Sequence, residues 1–175
     1  MKDNKLISLA IVDDELLFRQ GLIALLKKHK HIKIFFYADN GNTALDKLRK
    51  LKTLPEIILT DLKMPDLNGV EMTKILRKEF PELKIIALTS YYSKPFIINM
   101  ISIGAVAYLA KNSTPSVMLT TIEEVHKKGF YYDNNVLKYI HEELLNPSSQ
   151  NIKSTFDKKF LTKREKEVLE LLCQQ

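Results

Sequence analysis

The chain has 175 residues, 45% hydrophobic and 27% charged, which allows one full globular domain and part of another. It holds no apolar run of membrane-spanning length, opens on the charged Met1-Lys2-Asp3-Asn4-Lys5 and has one cysteine, Cys173, so a spanning helix, a secretory leader and an internal disulfide are not expected. The cytoplasm is the expected compartment, and the formal charge of +6, spread along the chain, permits an acidic partner without marking one.

Leu6 to Val12 is an apolar run long enough for a buried strand, and it ends in three acids, Asp13-Asp14-Glu15. Leu16, Leu17, Leu22, Ile23, Leu25 and Leu26 then trace a broad helical stripe that closes on Lys27-Lys28-His29-Lys30, cations placed where the helix dipole favours them. Ile32 to Ala38 is the next strand, Asp39-Asn40-Gly41 a turn, and Asn42 to Leu51 a helix with Ala44, Leu45, Leu48 and Leu51 inward. Pro55 to Asp61 is a third apolar strand ending in a carboxylate. Behind it Pro65, Asp66, Asn68 and Gly69 form a loop, and Val70, Met72, Ile75 and Leu76 begin a helix that stops near Phe80-Pro81.

Lys84 to Leu88 is the fourth strand, ending in Thr89-Ser90. A helix follows from Lys94 to Ile103, with Pro95 in its first turn and Gly104 at its end. Val106 to Ala110 is the fifth strand, closed by Lys111, and Thr114-Pro115 opens a helix that Gly129 terminates. Five alternating strand–helix units predict a parallel sheet covered on both faces. Beyond them Asn134 to Leu145 reads as a helix, either a stiff connector or a cover for one face of the sheet domain; periodicity leaves both open. Asn146 to Asn151 reads as a polar linker, and Thr162 with Glu165 has capping-box spacing at the head of a last apolar helix.

The residues that close the strands are Asp13 and Asp14, Asp61, Thr89 and Lys111, and in a parallel sheet these ends share one edge. Taken singly each has an ordinary role: Asp14 or Thr89 as a helix cap, Asp61 as a turn former, Lys111 as a solvated lysine. Together the three carboxylates would repel one another and call for a cation. Mg²⁺, which takes carboxylate, water and phosphate oxygens, fits that need. The chemistry that suits the set is phosphoryl transfer to Asp61 as nucleophile, with Lys111 as a mobile point charge, Thr89 as a hydroxyl donor and Ser90 leaving space for the phosphoryl group.

Asp13-Asp14, Asp61 with Pro65 and Gly69 behind it, Thr89, Gly104-Ala105, Tyr108 and Lys111 resemble the receiver domain of two-component response regulators, over about residues 5–128. Leu161-Thr162-Lys163-Arg164-Glu165-Lys166-Glu167-Val168-Leu169 is similar to the opening of a LuxR/NarL-type helix-turn-helix output domain. The resemblance implies a flavodoxin-like sheet of order 2-1-3-4-5, a helical and polar linker over residues 129–160 and a partial all-α output domain over 161–175. It further implies phosphorylation of Asp61 by a sensor histidine kinase, Mg²⁺ held by Asp13, Asp14, Asp61 and the Lys63 backbone carbonyl, and a Thr89/Tyr108 switch. A phosphorylation-dependent homodimer and transcriptional control through promoter DNA complete what it implies.

Two departures stand out. Asn112 follows Lys111 where many receivers have proline, and a cis bond without proline costs about 3 kcal/mol. The family's recognition helix would follow Gln175, so DNA-binding residues are expected in a longer chain and none in this one. Two other functions stay open: a phosphorylation-independent adaptor, and a hydrolase with an aspartyl-phosphate intermediate. Such hydrolases commonly place an acid two residues after the nucleophile, where this chain has Lys63.

Overall fold

The computed structural model of the protein describes residues 6–90 and 92–145. Eleven elements alternate along this stretch: β1 (Ile7–Val12), α1 (Leu16–Leu26), β2 (Ile32–Ala38), α2 (Gly41–Lys50), β3 (Ile57–Asp61), α3 (Gly69–Glu79), β4 (Lys84–Thr89), α4 (Lys94–Ser102), β5 (Ala107–Ala110), α5 (Pro115–Lys128) and α6 (Asn134–Leu145). The five strands form one parallel sheet in the order β2-β1-β3-β4-β5. This is the doubly wound, flavodoxin-like order expected from the sequence.

Strand pleating explains how one short apolar run serves two cores. Leu9 and Ile11 face a cluster with Leu22 and Leu26 of α1 and Met118, Ile122 and Val125 of α5. Their neighbours Ala10 and Val12 face the opposite cluster, with Leu45 and Leu48 of α2 and Met72 and Leu76 of α3. Every residue of β3 is buried, which is why that strand reads as continuous rather than alternating.

Local chemistry sets the helix ends. The Asn40 side chain accepts from the Thr43 amide at 2.8 Å, Asn68 from the Glu71 amide at 2.9 Å and Thr114 from the Val117 amide at 3.4 Å. Gly129 closes α5 in the left-handed region, at φ 89°, where a side chain would be strained. A few edges differ from the sequence reading: β4 runs on to include Thr89, α2 begins at Gly41, and β5 starts at Ala107 rather than Val106.

Gly69 is where the fold leaves no room. A Cβ built there would lie 2.1 Å from the Asp61 carbonyl oxygen and 2.9 Å from the Leu62 Cα, both backbone atoms. The Gly69 amide donates to the Leu62 carbonyl at 3.0 Å, so the start of α3 is folded directly onto the end of β3. The loop Leu62 to Asn68 is thereby closed tightly, with Asp66 at φ 63° in the left-handed region that aspartate tolerates better than most residues.

Between the two readings of Asn134 to Leu145, the structure favours the cover. Val136 is completely buried in a cluster with Ile97 and Met100 of α4, Ala105 and Tyr108, and Tyr139 and Ile140 pack beside it. The described residues contain no cis peptide bond. The polar stretch from Asn146, the capping box at Thr162 and Glu165, and Cys173 lie outside the described residues.

Candidate functional site

Crossovers leave β1 in opposite directions on its two sides, so the carboxyl ends of β1 and β3 flank a crevice that no connection covers. It has a volume of about 250 Å³ and is lined by Asp14, Glu15, Asp61, Lys63 and Ser90. Asp61 closes β3 and is 3% exposed. The Lys63 amide donates to its Oδ1 at 3.3 Å, so the loop that Gly69 holds tight also aims the carboxylate.

Asp13 follows β1 and is fully buried. Its Oδ1 accepts from the Glu15 amide at 2.9 Å, and the Arg19 guanidinium donates to its carbonyl from one turn into α1. Lys111 comes from the end of β5, where its amide donates to the Thr89 carbonyl at 2.7 Å. From there the side chain runs across the crevice and donates to Asp61 Oδ2 at 2.8 Å and to Glu15 Oε1 at 2.7 Å. Its Nζ also lies 2.9 Å from Asp13 Oδ2, and the Phe18 ring centroid is 4.9 Å from the ammonium. Only 7% of the Lys111 side chain is exposed, so it is no solvated surface lysine.

Three carboxylates thus share one ammonium. Burial raises the Asp13 carboxyl above its ordinary value, with Lys111 pulling the other way and the Asp61 charge adding to the rise. Burial likewise raises Asp61 against the pull of Lys111. Burial would lower Lys111, but Asp61, Glu15 and Asp13 prevail and hold it charged, well above the usual lysine range. Asp13 Oδ2 is buried and meets only the shared Lys111 ammonium, with no further donor directed at it.

Carboxylate oxygens from Asp13, Glu15 and Asp61 come within 4.8 Å of one another. An all-oxygen anionic set in which three carboxylates share a single ammonium suits a hard divalent cation. The cluster fits a metal and can hold one.

The sequence-predicted residues meet at one crevice. Asp14 lines it from an exposed position, and Glu15, also exposed, adds a carboxylate beside those of Asp13 and Asp61. Glu15 occupies the N-cap position of α1 with φ −74° and ψ 100°, an extended backbone at the head of the helix. Neither Asp14 nor Thr89 serves as a helix cap, since Glu15 and Ser93 hold those places. Ser90 is at the crevice, and Thr89 is fully buried behind it at the end of β4. Tyr108 is 4% exposed, and its hydroxyl is hydrogen-bonded by Thr89.

Residue types alone do not mark Glu15 and Phe18 as site residues. The run of three acids was visible, but which of them turns inward depends on backbone angles that residue types do not reveal.

Comparison with known proteins agrees with this geometry. Residues 9–123 match the response regulator receiver domain. The transcriptional regulatory protein LnrK of Bacillus subtilis is 32% identical over 124 residues, 71% of this chain and 56% of LnrK, so the chain spans little more than half of that relative. The oxygen regulatory protein NreC of Staphylococcus aureus is 30% identical over 167 residues, covering 94% of this chain and 76% of NreC. In fold, a LuxR-family two-component response regulator from Aurantimonas sp. SI85-9A1 superposes with a TM-score of 0.72 at 24% identity, over 81% of this chain and 99% of that one. The receiver match spans both strand ends that carry Asp13 and Asp61, and on that match the chain belongs to the response regulators.

Proposed function

We propose that Asp61 is a stoichiometric phosphoacceptor, charged by a sensor histidine kinase, and that its phosphorylation controls transcription through a LuxR/NarL-type output segment. The observation that carries this reading is the crowding of Asp13, Glu15 and Asp61 around one ammonium at the mouth of β3, within a receiver domain. Mg²⁺ would be held by Asp13, Asp14 and Asp61 with the Lys63 carbonyl, and when bound it supplies neutralisation of the charge that develops on the transferred phosphoryl group.

In the transfer, an Asp61 carboxylate oxygen attacks phosphorus as the bond to the donor nitrogen or oxygen breaks, and the donor leaves with that electron pair. Lys111, already on Asp61 Oδ2, is placed to follow the new phosphoryl oxygens as a point charge. Thr89 at the end of β4 and Ser90 just beyond it offer hydroxyl groups to the phosphoryl oxygens, with Tyr108 responding to Thr89 as the switch aromatic. We further propose a phosphorylation-dependent homodimer acting on promoter DNA in the cytoplasm. Among the described residues no helix is long and apolar enough to cross a membrane.

The output assignment draws support from LnrK, named a transcriptional regulatory protein. The receiver is proposed over residues 5–128, a linker over 129–160 and the start of the output domain over 161–175. Against turnover as a hydrolase stands Lys63, an exposed cation where a leaving-group acid would be needed. Against a phosphorylation-independent adaptor stands the electrostatic cost of an unused acidic cluster.

The test is incubation with acetyl phosphate, read by intact mass and by released phosphate. One phosphoryl adduct per chain is expected with Mg²⁺ and none in chelator or in Asp61→Asn, without sustained phosphate release. An adduct that persists in Asp61→Asn overturns the assignment, and continuous release at many equivalents per chain would favour the hydrolase.

A further inference from the structure

We propose that α6 is a releasable latch on the receiver, coupled to the crevice through Tyr108, Tyr92 and Asp133. The proposal rests on the phosphoacceptor reading of Asp61, but its contacts stand independently of that reading.

The contacts form a continuous series. Thr89, at the end of β4, hydrogen-bonds the Tyr108 hydroxyl. The Tyr108 ring meets Tyr92 edge to face, with centroids 5.7 Å apart. Tyr92 lies in the segment joining β4 to α4, and its hydroxyl donates to Asp133 Oδ2 at 2.7 Å. The other oxygen of that carboxylate, Oδ1, accepts from the Val136 amide at 2.8 Å and so caps α6. One side chain therefore starts the helix and ties it to the sheet domain. Burial, reinforced by Asp133, keeps the Tyr92 phenol protonated well above its ordinary range, so the hydroxyl remains a donor.

The rest of the docking is modest. Val136 is the one residue of α6 that is fully enclosed, between α4 and β5. Lys94 of α4 pairs with Glu142 at 2.9 Å in a half-exposed setting, and the Tyr132 hydroxyl donates to the Ala105 carbonyl at 3.1 Å. Leu137, Leu144 and Leu145 face outward. A helix of 12 residues is marginal in isolation, so α6 depends on these contacts and on the packing of Tyr139 and Ile140 beside Val136. Loss of the Asp133 tie removes both its cap and its anchor.

Thr89 has one hydroxyl proton to donate. Its hydroxyl is hydrogen-bonded with that of Tyr108 in this structure, and a phosphoryl oxygen on Asp61 would draw it away. A group that takes Thr89 withdraws a contact from Tyr108, and the differential interaction passes to Tyr92, Asp133 and the head of α6. Linkage requires the reverse as well: loosening α6 must favour the state in which Thr89 has left Tyr108.

The test is amide hydrogen exchange on the full 175-residue chain, following peptides over residues 132–145, with the adduct fraction measured in the same samples. Phosphorylated protein should exchange α6 at least tenfold faster than protein with Mg²⁺ alone. Tyr92→Phe, which deletes only the hydroxyl that reaches Asp133, should speed exchange in α6 roughly tenfold without any phosphodonor, the worth of one charge-assisted hydrogen bond. Exchange in β1 and β3 should not change in that variant. Full adduct with unchanged α6 exchange overturns the latch. If no adduct forms, the phosphoacceptor reading fails separately. Tyr92→Phe then decides the structural coupling: faster α6 exchange sustains it and an unchanged rate overturns it.

Discussion

Replacing Asp13 with asparagine should make the metal-free protein more stable while crippling its phosphorylation. Asp13 is fully buried, one of its oxygens meets nothing but the Lys111 ammonium, and it shares that ammonium with Asp61 and Glu15. Removing its charge leaves Lys111 two carboxylates and orphans no cation, so the penalty of an unpaired buried charge does not arise. The expected gain is about 1–2 kcal/mol in a chelator-treated urea titration, in line with other sites where function opposes stability.

The pH dependence has a definite sign. A carboxyl raised in the folded state binds its proton at higher pH than in the unfolded chain. Stability of the wild type without metal should therefore rise as pH falls from neutral toward that raised value, and Asp13→Asn should show less of this rise. Acetyl phosphate labelling should meanwhile fall at least tenfold and lose its response to Mg²⁺. A variant that is destabilised, or that labels normally with Mg²⁺, would remove Asp13 from the metal set.

Gly69→Ala should be the most damaging single methyl in the receiver. The added carbon has no flexible neighbour to displace: it meets the Asp61 carbonyl oxygen at 2.1 Å and the Leu62 Cα at 2.9 Å. Either α3 must retreat from β3 or the end of β3 must bend. Overpacking a rigid site costs about 1–3 kcal/mol, and rigid backbone on the receiving side places this case at the upper end. Because one displaced atom is the carbonyl oxygen of Asp61, the proposed phosphoacceptor, the damage should extend to phosphorylation. The Lys63 amide that aims Asp61 Oδ1 would shift with the loop, and labelling should slow even at temperatures where the variant is fully folded. A denaturation midpoint equivalent to within about 0.5 kcal/mol of wild type would show that the loop gives way more easily than its geometry states.

These two sites also show what can be read from residues and what cannot. The strand before Asp61 is legible because a buried parallel strand is a continuous apolar run, and Asp61 itself is legible only beside the acids, hydroxyl and lysine that close the other strands. Gly129 is legible for a similar local reason, a left-handed closing position at φ 89°. Glu15 was hidden among three consecutive acids. Its place in the cluster follows from the extended backbone at the head of α1 and from the reach of Lys111 out of β5, a relation across 96 positions.

The docking of α6 was hidden for another reason. Val136, Leu137, Ile140, Leu144 and Leu145 announce an apolar face, but only Val136 and Ile140 of these pack inward, and their partner, Ile97 and Met100 of α4, is fixed only by tertiary packing. Tyr92 shows the same limit, since its contact with Asp133 spans 41 positions of sequence.

The account stands on Asp61 as the atom-level acceptor, and the most direct test is to locate the phosphoryl group itself. Protein labelled with acetyl phosphate and Mg²⁺ would be reduced with borohydride, which converts an acyl phosphate on aspartate to homoserine, and then digested and sequenced by tandem mass spectrometry. Homoserine at position 61, absent from chelator-treated samples, is the predicted result. Homoserine at Asp13, Asp14 or Asp66 with position 61 unmodified would contradict it.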